Sequence, residues 1–162
     1  MLQDLKELDS LIGKICWGNW WDNQAGTGLN FGEPRLVLWE NKERTERKVW
    51  TEGECNLHLT LCSWKIENVG EKSVLLSSPK KKINIALRRL EGQKITKIEF
   101  DNTNGKTIFN FDLGSKLTCR RFDSDPESTL WSFISENPYQ IIMAMGNGQI
   151  RISPRDQKTP KM

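Results

Sequence analysis

GQKITKIEFDNTNGKTIFNFDLG, Gly92 to Gly114, is the stretch whose reading decides the fold class. KITKIEFD alternates apolar and polar residues as a strand with one buried face does. Asn104 and Gly105 form a pair favoured in tight hairpin turns, and TIFNFDLG returns as a second strand. Upstream, Ser78 and Pro79 predict an N-cap and a first-turn proline. Ile83, Ala86, Leu87 and Leu90 then share one helical face, and Gly92 stands just past its end. Downstream, SKLTCRRFD, LWSFIS, YQIIMAM and QIRIS read as four short strands, with Gly146, Asn147 and Gly148 turning the last pair.

The first half reads in the same terms. LQDLKELDSLIG places Leu2, Leu5, Leu8 and Ile12 at helix-compatible spacing and stops on Gly13. ICWGNWW and GLNFGEPRLVLWE follow as strands broken by glycine turns, and the polar NKERTERK separates them from VWTEGECNLHLTLCSWKIE. In that last segment Leu57, Leu59, Leu61 and Ser63 are expected on one face of a single strand, with His58, Thr60, Cys62 and Trp64 on the other. The expected class is α+β, mainly antiparallel β with two short helices, in one domain over residues 1–162.

The two halves repeat one order of events. Gly13 aligns with Gly92, Phe31 with Phe111, Leu36 with Leu117 and Trp50 with Trp131, at offsets of 79 to 81 residues. This predicts an internal duplication, with pseudo-repeat halves at about 1–70 and 78–153, packed as one sheet or as two face to face, and a flexible tail at 154–162. Trp50 and Trp131 are then expected at one shared core position. Features confined to one half are the better functional candidates. CWGNWWDNQAGTG (residues 16–28) and Trp39 have no match in the second half.

Composition narrows the classes. With 24 basic and 21 acidic residues among 162, the net charge of +3 does not by itself imply a nucleic-acid partner. The excess is local, at Lys80, Lys81, Lys82, Arg88 and Arg89 and again at Arg151, Arg155, Lys158 and Lys161. The four cysteines lie in apolar contexts with no signal peptide ahead of them, which points to a reducing cytoplasm. No apolar run is long enough for a membrane helix, so a soluble chain is expected.

Chemistry is sparsely marked. Cys55, His58 and Cys62 lack the spacing of a metal site on a strand, and neither a metal nor a cofactor is expected. His58, the only histidine, would need Cys16 or Ser63 brought to it to act as a base. Asp22, Glu33, Glu40, Glu52 and Glu54 show no acid and base spacing, and AGTG lacks the ending of a phosphate loop. Tryptophan is, however, enriched where proteins bind one another. Trp20 and Trp21 are adjacent and should face opposite sides of a strand, whereas Trp17 is expected in the core. Trp20, Trp21, Asp22, Trp39 and Glu40 are the candidate partner-binding residues.

The segments LIGKICWG, LNFGEPRLVLWE, CNLHLTLCSWKI and LEGQKITKIEFDNTNGKTIFNFDLG resemble a family of small, largely uncharacterised bacterial proteins, from about Leu11 to Trp131. NWWDNQAGTG stands where that family has a shorter, more basic aromatic turn. The resemblance carries no catalytic residue. By analogy of fold type it also suggests the immunity proteins of bacterial toxin systems. The leading expectation is a non-enzymatic protein-binding module that masks a partner such as a toxin. A nucleic-acid or nucleotide binder using Lys80 to Lys82, Arg88 and Arg89 is the second class, and a small enzyme without a recognisable motif is the third.

Overall fold

The computed structural model describes residues 1–122, 125–136 and 139–154. Arg155, Lys158, Lys161 and all but the first residue of the expected tail lie outside them. The elements are β1 (Leu2–Asp4), a 3₁₀ segment (Lys6–Leu11), β2 (Cys16–Asp22), β3 (Gly26–Glu40), β4 (Arg47–Leu59), β5 (Cys62–Glu67) and β6 (Val74–Leu75). After them come α1 (Lys80–Leu90), β7 (Ile95–Asp101), β8 (Thr107–Phe111), β9 (Lys116–Arg121), β10 (Thr129–Glu136), β11 (Tyr139–Met145) and β12 (Ile150–Pro154). The strands form two antiparallel six-stranded sheets. Sheet I is ordered β12-β11-β10-β4-β3-β2 and sheet II β1-β7-β8-β9-β5-β6.

Alternation along each strand turns one row of side chains inward, and the rows of the two sheets correspond. Leu29, Leu57, Phe133 and Ile142 stand side by side across sheet I. Ile98, Phe109, Leu117 and Ile66 do so across sheet II. All eight are buried in one apolar core. A tryptophan from each sheet bonds a buried threonine of the other. Trp64 Nε1 on β5 donates to Thr27 Oγ1 on β3 at 3.1 Å, and Trp131 Nε1 on β10 donates to Thr107 Oγ1 on β8 at 2.8 Å.

Neither half of the chain builds a sheet alone. β2, β3 and β4 make half of sheet I, and β10 to β12 complete it. β7, β8 and β9 make the centre of sheet II, and β5 and β6 extend it. At the junction Ile15 and Lys94 form an antiparallel bridge. Around it Gly13 N donates to Ile95 O at 2.8 Å, while Gly92 N donates to Cys16 O at 2.7 Å. Both glycines have positive φ, a conformation that suits a residue without Cβ.

Several expectations are corrected. The first segment is not an α-helix but β1 followed by the 3₁₀ segment, with Leu5, Leu8 and Leu11 buried and Ile12 exposed. A three-residue period matches three residues per turn better than 3.6. The segment 49–67 is not one strand: Thr60 and Leu61 interrupt it, β4 ends in sheet I and β5 starts in sheet II. The two-residue break reverses the buried set, so Cys62, Trp64 and Ile66 face the core and Leu61 is exposed. Of the aligned pairs, Gly13 and Gly92 both have positive φ, and Phe31 and Phe111 are both buried. Leu36 and Trp50 are exposed whereas Leu117 and Trp131 are buried. Trp64, like Trp131, is buried and bonded to a threonine of the other sheet, whereas Trp50 is not. Trp17 is only partly buried, its Nε1 donating to Gly32 O at 2.7 Å. The β7–β8 turn is a longer loop held by Asp101, whose carboxylate accepts from Thr103 N at 2.9 Å, and of its residues only Gly105 has positive φ. Ser78 caps no helix; its hydroxyl accepts from Leu75 N, and α1 starts after Pro79 with the predicted face buried.

Two predictions follow from this core. Replacing Thr27 or Thr107 by Val strands a buried indole N–H and should cost about 1–3 kcal/mol in urea unfolding, whereas an unchanged midpoint would remove the bond's role. The four cysteines are buried and free. Burial pushes the Cys16 thiol from its ordinary 9.0 to about 12 and that of Cys55 to about 11. Unfolded thiols therefore ionise first, and this contribution, fully present below pH 9.0, should fade as pH rises towards about 12. Unfolding midpoints across that range, with thiol labelling complete only in denaturant, check it.

Candidate interaction surface

β3 and β4 go on pairing beyond the rest of sheet I. β2 leaves β3 after Phe31, opposite Cys16, and β10 leaves β4 after Cys55, opposite Ser135. From Pro34 opposite Gly53 to Glu40 opposite Arg47 the two strands run on as a ribbon, bordered by no other described strand. Seven residue pairs at strand rise give a projection of about 20 Å.

Local chemistry explains why it holds. A register shift between Phe31 and Pro34 redirects β3 at the root. Gly32 there has φ +77°, and the Glu54 side chain fills the space a Cβ would need. Glu54 pairs with Lys14, and Arg35 Nη2 bridges Glu52 at 3.0 Å and Glu136 on β10 at 2.6 Å. At the tip the Asn41 side-chain oxygen Oδ1 accepts from Thr45 N and Glu46 N. Glu40 accepts from Arg47 Nε at 2.5 Å, and Lys48 Nζ lies 5.4 Å from the Trp39 ring centre.

Both faces of the ribbon carry apolar side chains. On one, Leu36 is 76%, Leu38 55% and Val49 60% exposed. On the other lie Val37, Trp39 and Trp50, the last 42% exposed, among Arg35, Lys48 and Glu52. Sequence reasoning chose Trp39 and Glu40 but missed Leu36, Leu38, Val49 and Trp50. The signal was the unbroken run LVLW at 36–39, which makes both faces of a strand apolar.

The other candidates lie elsewhere. Trp20 stands opposite Gly28, eleven residues before Trp39 on β3, or roughly 35 Å along the strand. Its ring covers Gly28 and approaches the His58 ring at 5.3 Å, while His58 Nε2 lies 3.0 Å from Ala25 O. Trp20 is 41% exposed on the outer face; Trp21 turns inward against the core. There it lines a cleft of about 420 Å³ with Leu59, Leu61, Trp64, Leu76 and Phe122. Asp22 is engaged in its turn, accepting from Gln24 N and Ala25 N at 2.8 Å each, bonds that hold its carboxyl below the usual range.

The catalytic arrangements considered for His58 do not form. Cys16 faces the opposite side of sheet I, bonded to Asn19, and Ser63 lies in sheet II. Lys81, Lys82, Arg88 and Arg89 recur at seven-residue spacing and form an exposed stripe on α1, but Arg89 pairs with Glu71 at 3.0 Å. No helix among the described residues is long and apolar enough to cross a membrane. Comparison with protein-family models, with curated proteins and with solved structures finds no match.

The Arg35 bridge predicts a local effect. In Arg35→Ala the cross-strand amides of Leu36, Leu38, Glu40, Arg47, Val49 and Thr51 should exchange about tenfold faster while those of β8 and β10 keep their protection. Unchanged exchange in the ribbon would mean that the bridge does not fix it.

Proposed function

We propose that this chain is a non-enzymatic protein-binding module that uses the ribbon of residues 34–53 as its binding element. The observation that carries the reading is a braced two-stranded projection with apolar side chains on both faces. An isolated hairpin is marginal in water. Covering side chains of the size of Leu36, Leu38 and Val49 yields about 1.5–3 kcal/mol each when burial is complete, so a partner gains affinity there. An immunity-type role, in which a toxin's active surface is masked in the cytoplasm, is one form of this reading, and the four free thiols fit a reducing compartment.

The same reading takes the two halves as copies of one unit: a helical turn, three meandering strands and a strand that crosses to the other sheet. Gly13 with Gly92, Thr27 with Thr107, Phe31 with Phe111 and Trp64 with Trp131 support it. In those terms the ribbon is an insertion, because its counterpart in the second half is the short turn Asp112 to Ser115 between β8 and β9. An element added to one copy and not needed by the shared fold is where a separate function belongs.

Capture of partners by the full chain tests this. Leu38→Asp should abolish capture without lowering the free energy of unfolding by more than about 0.5 kcal/mol, as expected for an exposed position. Capture equal to that of the unaltered chain would reject the ribbon. Retention on polynucleotide that collapses between low and moderate salt, and that depends on Lys81 and Arg88, would favour the second class instead.

A further inference from the structure

We infer that the ribbon's partner is a second copy of this chain, added edge to edge along β4 with Trp50 on the two-fold axis. This rests on the ribbon's being the binding element and names what it binds.

The backbone shows which groups are available. Thr60 N donates to Leu130 O on the β10 side, and Gly53 N donates to Asn30 Oδ1 on the β3 side. Backbone groups alternate sides along a strand, so even-numbered residues of β4 direct their N–H and C=O towards the side that β10 occupies. β10 reaches only Cys55. Beyond it Lys48, Trp50 and Glu52 present these groups at an edge with no neighbouring strand among the described residues. Such an edge is a template for another strand.

Only some registers suit a two-fold pairing of this edge with itself. The open stretch, 47–53, is centred on Trp50. Pairing Trp50 with Trp50 of the second copy places Lys48 opposite the second copy's Glu52 and Glu52 opposite its Lys48. Both flanking pairs are then of opposite charge, and the three residues from each copy bring their edge N–H and C=O groups together. Opposite charges directly across a ladder stabilise it and like charges destabilise it. The joined ribbons also make one four-stranded surface on which Leu36, Leu38 and Val49 of both copies lie together.

Charge reversal tests the register in the full-length chain. Sedimentation across a concentration series should show a monomer–dimer equilibrium. Lys48→Glu and Glu52→Lys should each weaken self-association about tenfold, because each turns two attractive pairs repulsive. Mixed together, the two variants should form a heterodimer about as tight as the original dimer, since every cross-strand pair is again of opposite charge. Glu52 also accepts from Arg35 Nη2 at 3.0 Å and from Trp50 Nε1 at 2.6 Å, so a second readout reports the register by distance instead of charge. Trp50→Cys should give a covalent dimer under mild oxidation, because hydrogen-bonded pairs hold Cα atoms about 5.5 Å apart, within disulfide reach, whereas Leu38→Cys should not. A chain that stays monomeric throughout overturns the dimer. So does a dimer indifferent to both charges, or one in which the two variants fail to pair. Monomeric chains whose capture of another protein still depends on Leu38 would keep the binding role and reject only the second copy; monomeric chains that capture nothing would reject both.

Discussion

Two indole N–H bonds, from Trp64 to Thr27 and from Trp131 to Thr107, tie each sheet to a strand of the other. A buried N–H without an acceptor costs more than an ordinary hydrogen bond contributes, so these bonds fix where the crossing strands must sit. Everything else is arranged around that requirement. β4 must stop at Leu59 for the chain to turn through Thr60 and Leu61 and deliver Trp64 into sheet II. In the second half the chain leaves β9 after Arg121 and returns to sheet I with Trp131 inward. The bridge between Ile15 and Lys94 joins the two starting points.

Much of the fold was legible because it is local. The period-2 pattern of residues 95–111 and the 3.6-period face of α1 each decide an element without help from the rest of the chain. What was not legible depends on which sheet a strand joins. VWTEGECNLHLTLCSWKIE looks continuous because polar and apolar residues keep alternating through the break; only the exposure of Leu61 reveals the change of side, and exposure is a tertiary fact. The alignment of Trp50 with Trp131 failed for a related reason. Trp50 lies in the ribbon and is exposed, while the tryptophan that the first half buries, Trp64, comes 14 residues later, beyond the break at Thr60 and Leu61.

The candidate surface was half visible. Adjacent Trp20 and Trp21 had to face opposite sides, and they do, but each is occupied locally, Trp20 in covering Gly28 and Trp21 in closing on the core. Asp22 shapes a turn. Trp39, which has no match in the second half, and Glu40 both lie in the ribbon. Its neighbours Leu36, Leu38 and Val49 pass for ordinary core residues by composition, since an unbroken apolar run such as LVLW reads equally as a strand buried on both faces.

The exchange of strands between halves also sets the order in which the molecule can be completed. β4 is made early, but its neighbour β10 begins only at Thr129, and until then the apolar row Leu29 and Leu57 has no Phe133 beside it. A nascent chain that has just released β6 therefore carries an unfinished sheet, with an open edge along the whole of β4 rather than along the ribbon alone. Synthesis of the second half is the step that closes most of this edge, so the first half passes through its most association-prone state before the protein exists as a whole.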